Sequence, residues 1–582
     1  MESVKRIPYG IADYRRMRED GMYYVDKTAF IPLVEAAPYY LFLIRPRRFG
    51  KTLWLSVLEH YYDINRAEEF AALFGDTYIG QHPTPERNSY LVLRFDFSQV
   101  NPDVRFVQES FEGYGHDVIS DFLDRYGRFF DAEERANVLA LPTVARKLRT
   151  VLTYARRHGL KTYLLIDEYD HFANIILSTV GQEAYHDLTH GAGFFRFFFN
   201  VLKGATGTGG LARMFITGVS PVTMDDVTSG FNIGTNISLA GQFNGLLGFR
   251  EQEVAEILTY YRAVGLLRLD VDYCLETMRA WYDGYRFADE AQEHVFNSDM
   301  VLHFLLNALE RDSLPPRLVD ENVRIDYDKL RHLVLVDRQL NGNFSLLRQV
   351  VEDGETVGEV RLTFPLGRLL DRQNFISLLF YFGLLSFDGL RDGVPVLRVP
   401  NLTVRRLLYG YIREGLYDGG VFRVDLFRFG GLVREMAYRG AWEPVFDFLA
   451  AEVHRQTAVR DYLAGEKVIQ GFLLAYLNIT DFFLTWSERE LGGGFADIYL
   501  EPFLARYPDV GYGYLVELKY IPRRKFTPER LARVVREAES QLRRYADDGR
   551  LAALRDRVTL KSIVLVYNGW ELAYRGEVSP DE

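Results

Sequence analysis

Tyr40 to Thr52 reads YLFLIRPRRFGKT. Five apolar residues end at Ile44. A basic loop, RPRRFGKT, runs from Arg45 to Thr52, and Leu53 to Tyr62 (LWLSVLEHYY) continues with helical character. Strand, loop and helix in that order are the setting a phosphate-binding loop requires. Backbone N–H groups of Arg47, Arg48, Phe49 and Gly50, with the helix N-terminus, would cradle phosphate oxygens. Lys51 would reach the β- and γ-phosphates, and the Thr52 hydroxyl would ligate Mg²⁺. The general pattern wants glycine where Arg45 stands, and only Gly50 of its two glycines is present. A plain basic loop between strand and helix is the competing reading.

A second stretch shifts the balance. Tyr163 to Asp170 reads YLLIDEYD, an apolar strand ending in Asp167 and Glu168. An Asp at that position holds Mg²⁺, and a following Glu polarises the attacking water. A solvated acidic strand end is the alternative. Phe215 to Ser220 (FITGVS) is a third strand-like run, and Thr217 would stand near the γ-phosphate as a sensor or merely cap the strand. Asp96, closing LVLRFDF, is ambiguous in the same way. Short apolar strands separated by helical stretches such as Val144 to His158 indicate an α/β fold with a parallel sheet covered on both faces.

Composition bounds the rest. The chain has 582 residues, 48% hydrophobic and 26% charged, enough apolar content for several folded domains. Net charge is -11, which argues against coating nucleic acid with the whole surface but leaves room for a local basic groove. The single cysteine, Cys274, excludes an intrachain disulfide and a Cys-rich zinc module. Phe375 to Phe387 (FISLLFYFGLLSF) is too short for a membrane span and reads as a buried helix or strand pair. No signal-peptide pattern opens the chain, so a soluble cytoplasmic protein without membrane contact is expected.

From about Phe249 the pattern becomes mainly helical, and a last block begins near Val421. The expected domains are 1–248, a P-loop domain; 249–420, a helical lid-like or winged-helix-like region; and 421–582. In the last block Asp497 lies in GFADIYL, and Glu517 and Lys519 lie in YLVELKY. Alternation along a strand puts Glu517 and Lys519 on one face. Asp497, Glu517 and the Leu518 carbonyl would supply oxygen ligands to Mg²⁺, and Lys519 would orient water or stabilise the phosphate. This is a D…ExK pattern set in apolar strands. Gln541 and Tyr545, four apart on a following helix, and Glu466, opening EKVIQGFLLAYL, are accessory candidates; a helix-dipole role competes for Glu466. Arg523 to Tyr545 carries eight Lys or Arg against three Glu, a solvated helix face or a nucleic-acid contact.

Together these residues resemble bacterial AAA-ATPase-like proteins with a C-terminal PD-(D/E)XK nuclease-superfamily domain. The resemblance rests on IPYGIADYRRMREDGMYYVDKT, RPRRFGKT, YLLIDEYD, FITGVSPV, WYDGYRF at Trp281 to Phe287, GFADIYL and VELKY. It implies an ASCE-type P-loop domain, a helical middle and a restriction-endonuclease-like α/β domain. It also implies ATP and Mg²⁺ as cofactors, with Mn²⁺ as an alternative metal. DNA is the expected polymer, RNA is left open, and a homo-oligomer is compatible. In that family the loop generally lacks its first glycine, so Arg45 agrees with it. YVDKT at Tyr24 to Thr28 would lie near the base or ribose. Ala496 stands where the superfamily name has Pro, and Ile469 and Gln470 stand where relatives often have Tyr-His. The expected function is an ATPase coupled to a Mg²⁺-dependent nuclease, with defence or mobile-element biology as the setting by analogy. The alternative is a nucleotide-dependent switch or scaffold whose nuclease-like domain binds without cleaving.

Overall fold

The computed structural model describes residues 4–179, 182–189, 193–207, 209–221, 234–309, 311, 313–320, 335–336, 339–340, 342–365, 368, 371–491, 494–546 and 548–579. Val222, the last residue of FITGVSPV, lies outside them. The chain forms two compact units. One comprises Met1–Asp312 with Val357–Asn401, the other Ser313–Thr356 with Leu402–Glu582. The 249–420 stretch is therefore shared between the units.

The first unit is built on five strands: β1 (Tyr40–Ile44), β2 (Tyr90–Asp96), β3 (Lys161–Asp167), β4 (Arg213–Gly218) and β5 (Thr235–Asn236). All neighbours pair in parallel, in the order β2-β3-β4-β1-β5. Strands buried on both faces read as unbroken apolar runs. Leu41 to Ile44 and Tyr163 to Ile166 are accordingly buried throughout. Strand β4 sits between β1 and β3, with Leu43 opposite Thr217 and Ile166 opposite Ile216. That insertion is the ASCE arrangement expected from the motifs, and it brings Thr217 between the loop after β1 and the acidic end of β3.

Helix α1 (Lys51–Tyr62) follows β1 and packs on the sheet. Helix Val144–Arg157 shows why its neighbours form. Thr143 caps it by accepting the Arg146 N–H, and Val144, Leu148, Val151, Leu152 and Ala155 make one buried stripe. Helices Glu251–Ala263, Val271–Tyr282 and Ser298–Ala308 complete this part of the helical middle. The Phe375–Phe387 run resolves into helix Arg372–Tyr381 followed by strand Ser386–Arg391, which pairs with Val394–Arg398.

The second unit holds a mixed five-stranded sheet in sequential order: β6 (Phe483–Leu491), β7 (Gly494–Pro502), β8 (Tyr512–Ile521), β9 (Thr559–Asn568) and β10 (Glu571–Val578). Only β8 and β9 are parallel, which obliges a crossover, supplied by the helix Pro528–Ala546. Val535, Ala538, Leu542 and Tyr545 of that helix cover Leu515, Val564 and Val566. Helices Leu402–Asp418, Leu426–Arg439, Glu443–Arg455 and Glu466–Leu477 precede the sheet. The Glu466 helix is α2 and the crossover helix α3 below. The outer strands β6 and β10 are not evident in the sequence pattern. Both are edge strands, whose open side tolerates polar residues and so blurs alternation.

Candidate nucleotide and metal sites

The loop from Arg45 to Gly50 keeps its shape without the usual first glycine because its side chains are tied down. Arg45 is 1% exposed. Its guanidinium donates to the carbonyls of Ile44 at 3.1 Å, of Phe243 at 3.4 Å and of Ser238, and lies 4.2 Å from the Phe287 ring centroid. Burial pushes its pKa down to about 9. Arg48 donates to Asp299 at 2.5 Å, while its carbonyl accepts from the Ser298 hydroxyl and the Asp299 N–H. Phe49 points into the core, edge-on to Tyr285 and Phe287 at 4.9 and 5.3 Å. The side chains of Arg48 and Phe49 are thus committed to the scaffold, and what these residues offer a phosphate is backbone. WYDGYRF supplies the aromatic anchor. Gly50, at φ 95°, makes the left-handed turn into α1, where first-turn N–H groups have no intrahelical acceptor.

Lys51 is 4% exposed, and its ammonium donates to the carbonyls of Arg45 and Pro46 at 3.2 and 3.0 Å. Asp167, 1% exposed, draws the other elements together. The Thr217 hydroxyl donates to it at 2.6 Å, and the Thr52 hydroxyl is near enough to act on its charge. Burial raises the Asp167 pKa, and these two hydroxyls act against that rise. Glu168 has a left-handed backbone, φ 49°, and stands 3.7 Å from the His171 ring. Burial would raise its pKa, but His171, Lys51 and Arg47 outweigh it and hold Glu168 at about 2. A cavity of about 400 Å³ adjoins the loop, lined among others by Tyr24, Lys27, Lys51, Trp54, Glu168 and Gly248. The YVDKT segment forms part of its wall. Asp96 stands opposite Asp167 in the β2–β3 register, but its carboxylate accepts from Ser98 and caps a short turn.

Two of these contacts escaped the sequence reading. Asp170 accepts from the N–H groups of Val219 and Ser220 and from Asn174, stapling the ends of β3 and β4. His171 steadies Glu168. The signal was present in YLLIDEYD and the histidine after it, but nothing in spacing alone assigns them.

In the second unit, Glu517 is 1% exposed. Lys519 donates to its Oε1 at 2.6 Å and lies 4.0 Å from Asp497 Oδ2. Asp497 accepts the Leu518 N–H at 2.7 Å, and Glu466 accepts the Tyr520 N–H at 3.2 Å. Pairing between β7 and β8 ends at Ile498 and Val516, so two carboxylates take N–H groups of β8 beyond the end of that ladder. Burial first, then the Asp497 charge, lifts the Glu517 pKa to about 7 despite Lys519. Burial alone would lower Lys519, but Glu517 and Asp497 raise it. Glu517 Oε2 is buried without a hydrogen-bond partner. An orphaned buried carboxylate oxygen beside a second carboxylate is a donor set that suits a hard divalent cation. Among the described residues no group of three or more His, Cys, Asp or Glu side chains is arranged to hold a metal. The donors here are two carboxylates and backbone, with Glu466 close enough to act on Glu517.

The accessory residues divide. Tyr545 packs so tightly on Gly494 that a Cβ there would sit 2.7 Å from its ring, and after burial the Glu517 and Asp497 charges raise its pKa. Gln541 Oε1 is buried and unpartnered. Gln470 donates to the Asp497 carbonyl at 2.5 Å.

Comparison with known proteins agrees with this division. Residues 8–228 match the family model described as predicted AAA-ATPase, and residues 464–577 match the PD-(D/E)XK nuclease superfamily. The chain therefore joins an AAA-ATPase-like domain to a PD-(D/E)XK-superfamily domain. An uncharacterized protein encoded in the vnfD 5′ region of Azotobacter chroococcum mcd 1 is 31% identical over 310 residues, 52% of this chain and 52% of that protein. The match thus spans about half the length of that relative. Among solved structures, the Walker-type ATPase PABY2304 of Pyrococcus abyssi matches at 12% identity and TM-score 0.39, covering 67% of this chain and 97% of that one. The ORC2 protein of Aeropyrum pernix matches at 14% identity and TM-score 0.32, covering 67% and 91%. No helix among the described residues is long and apolar enough to cross a membrane.

Proposed function

We propose that the protein binds and hydrolyses ATP in its first unit and, under that control, cleaves phosphodiester bonds of nucleic acid in its second. The observation that carries the nuclease reading is the buried Glu517 carboxylate, with one oxygen on Lys519 and the other orphaned beside Asp497.

In the nucleotide site, the N–H groups entering α1 and the Lys51 ammonium would take the β- and γ-phosphates. Thr52 and Asp167 would hold Mg²⁺. Glu168, ionised at neutral pH, would accept a proton from the attacking water. Thr217 fixes the Asp167 carboxylate. Arg47 and Lys51 both act electrostatically on Glu168 and would place positive charge near the transferred phosphate.

In the second site, Asp497, Glu517 and the Leu518 carbonyl would hold Mg²⁺ or Mn²⁺. When bound there, such a cation supplies Lewis-acid stabilisation of the phosphate and a more acidic water. Lys519, held on Glu517, would orient water and offset charge on the pentavalent phosphate. Tyr545 and Gln541 would position the phosphate. The basic stretch from Arg523 to Tyr545 would meet the polymer, DNA before RNA. Defence against foreign DNA or mobile-element biology fits such a pair of activities.

One observation favours the switch reading, in which the second unit binds without cleaving: the Gln470 amide beside the site is spent on the Asp497 backbone. Incubation with single- and double-stranded DNA and RNA, with Mg²⁺ or Mn²⁺, separates the two. Metal-dependent cleavage lost in Lys519→Ala supports the nuclease; intact ATP turnover with no cleavage supports the switch.

A further inference from the structure

The second unit has another concave feature. A cavity of about 690 Å³ opens between the end of α3, the start of β9 and the end of β10. Arg543, Arg555 and Arg557 line it, with Thr559 and Ser562, and Asp556 is the acidic residue in its described lining. No ion pair engages any of the three arginines among the described residues, and Arg543 Nε is buried without a partner. Elsewhere on the same sheet cations are paired: Arg575 with Asp447, Lys561 with Glu577. In a chain of net charge -11, three unpaired guanidinium groups around one cavity are a selective concentration of positive charge.

The cavity lies on the catalytic face. Leu515 and Ile521 belong to the core beneath α3, so Glu517 and Lys519, which alternate with them, project to the same side. Val564 and Val566 belong to that core too, which puts Ser562 there. The register sets Glu517 opposite Val564, Leu515 opposite Ser562 and Tyr512 opposite Thr559. At about 3.3 Å per residue, the cavity begins roughly 7 Å from Glu517 and ends roughly 17 Å away. Measured along a duplex axis, at about 3.4 Å per phosphate of one strand, that distance corresponds to roughly two to five phosphates.

We propose that this cavity holds the phosphodiester backbone of a nucleic-acid strand, two to five nucleotides to one side of the phosphate at Asp497, Glu517 and Lys519. Planar guanidinium groups bond phosphate oxygens in pairs, and three of them clamp a backbone without reading its sequence. The inference rests on the nucleic-acid reading above but does not need cleavage.

Fluorescence anisotropy in EDTA, with labelled duplex DNA, single-stranded DNA and RNA across a salt series, tests it. Replacing Arg543, Arg555 and Arg557 together by Ala lowers the log–log salt slope on duplex by roughly 2 to 3 and weakens binding tenfold or more near 0.1 M salt. The triple Lys variant restores the slope, which a packing role would not allow. Should the triple Ala variant fail to fold, Arg557→Glu alone, at an exposed position, lowers the slope by about 1 or more. Wild-type affinity and slope in the triple Ala variant, or in Arg557→Glu, overturn the proposal. So does a wild-type protein that binds none of the three polymers. Binding through the arginines without Mg²⁺-dependent cleavage leaves this site standing and removes the nuclease reading.

Discussion

The Thr217 hydroxyl donates a 2.6 Å hydrogen bond to Asp167, the carboxylate on which the Thr52 hydroxyl at the start of α1 also acts. The contact exists because β4 is inserted between β1 and β3. Thr217→Val keeps the volume and removes the donor. A hydrogen bond to a buried charge is worth about 1.5–3 kcal/mol, so ATP turnover falls by about tenfold to a hundredfold. Nucleotide affinity, carried by Lys51 and loop N–H groups, changes little. Steady-state ATPase rates beside nucleotide-binding titrations check both.

Arg45→Gly restores the general phosphate-loop pattern and is expected to harm the protein. It deletes a buried guanidinium that holds three carbonyls and stacks on Phe287. Loss of several buried bonds together costs about 3 kcal/mol or more. Thermal unfolding of the variant should begin several degrees lower, with weaker nucleotide binding.

Much of this was readable beforehand, and the failures have causes. YLFLIRPRRFGKT and YLLIDEYD announce themselves because buried parallel strands are apolar throughout and end in polar residues. Glu517 and Lys519 are legible because a strand has period two. Arg48 and Phe49 enter the sequence reading for their backbone N–H groups alone; what the sequence does not show is that their side chains anchor on Asp299, Tyr285 and Phe287, more than two hundred residues away. No local pattern encodes such a tertiary anchor. Glu466 stood between a helix-dipole role and the site, and its bond to the Tyr520 N–H brings it to the site.

The Glu517 pKa, raised from 4.5 to about 7, carries a pH signature. Between those values the folded chain holds a proton that the unfolded chain releases, so stability of the metal-free second unit falls as pH rises through this window. The full effect is at most about 3 kcal/mol. Glu517→Gln should flatten that dependence in urea titrations at pH 5 and 8. Because a proton competes with the cation, affinity for Mn²⁺ in the wild type should rise with pH up to about 7 and level off above it.

Lys519→Met separates binding from chemistry. Its ammonium bonds Glu517 Oε1 at 2.6 Å. Removing that charge should reduce cleavage at least about a hundredfold. Mn²⁺ affinity measured by calorimetry should hold within a few-fold, since the carboxylates remain.

The most direct measurement is cleavage of mixed DNA and RNA substrates by purified protein in Mg²⁺, with and without ATP, run beside Glu517→Ala and Lys51→Ala. Metal-dependent cleavage abolished by Glu517→Ala, with its ATP response lost in Lys51→Ala, is the expected result. Cleavage unchanged in Glu517→Ala, or no cleavage of any substrate while ATP is turned over, would contradict a nucleotide-regulated nuclease.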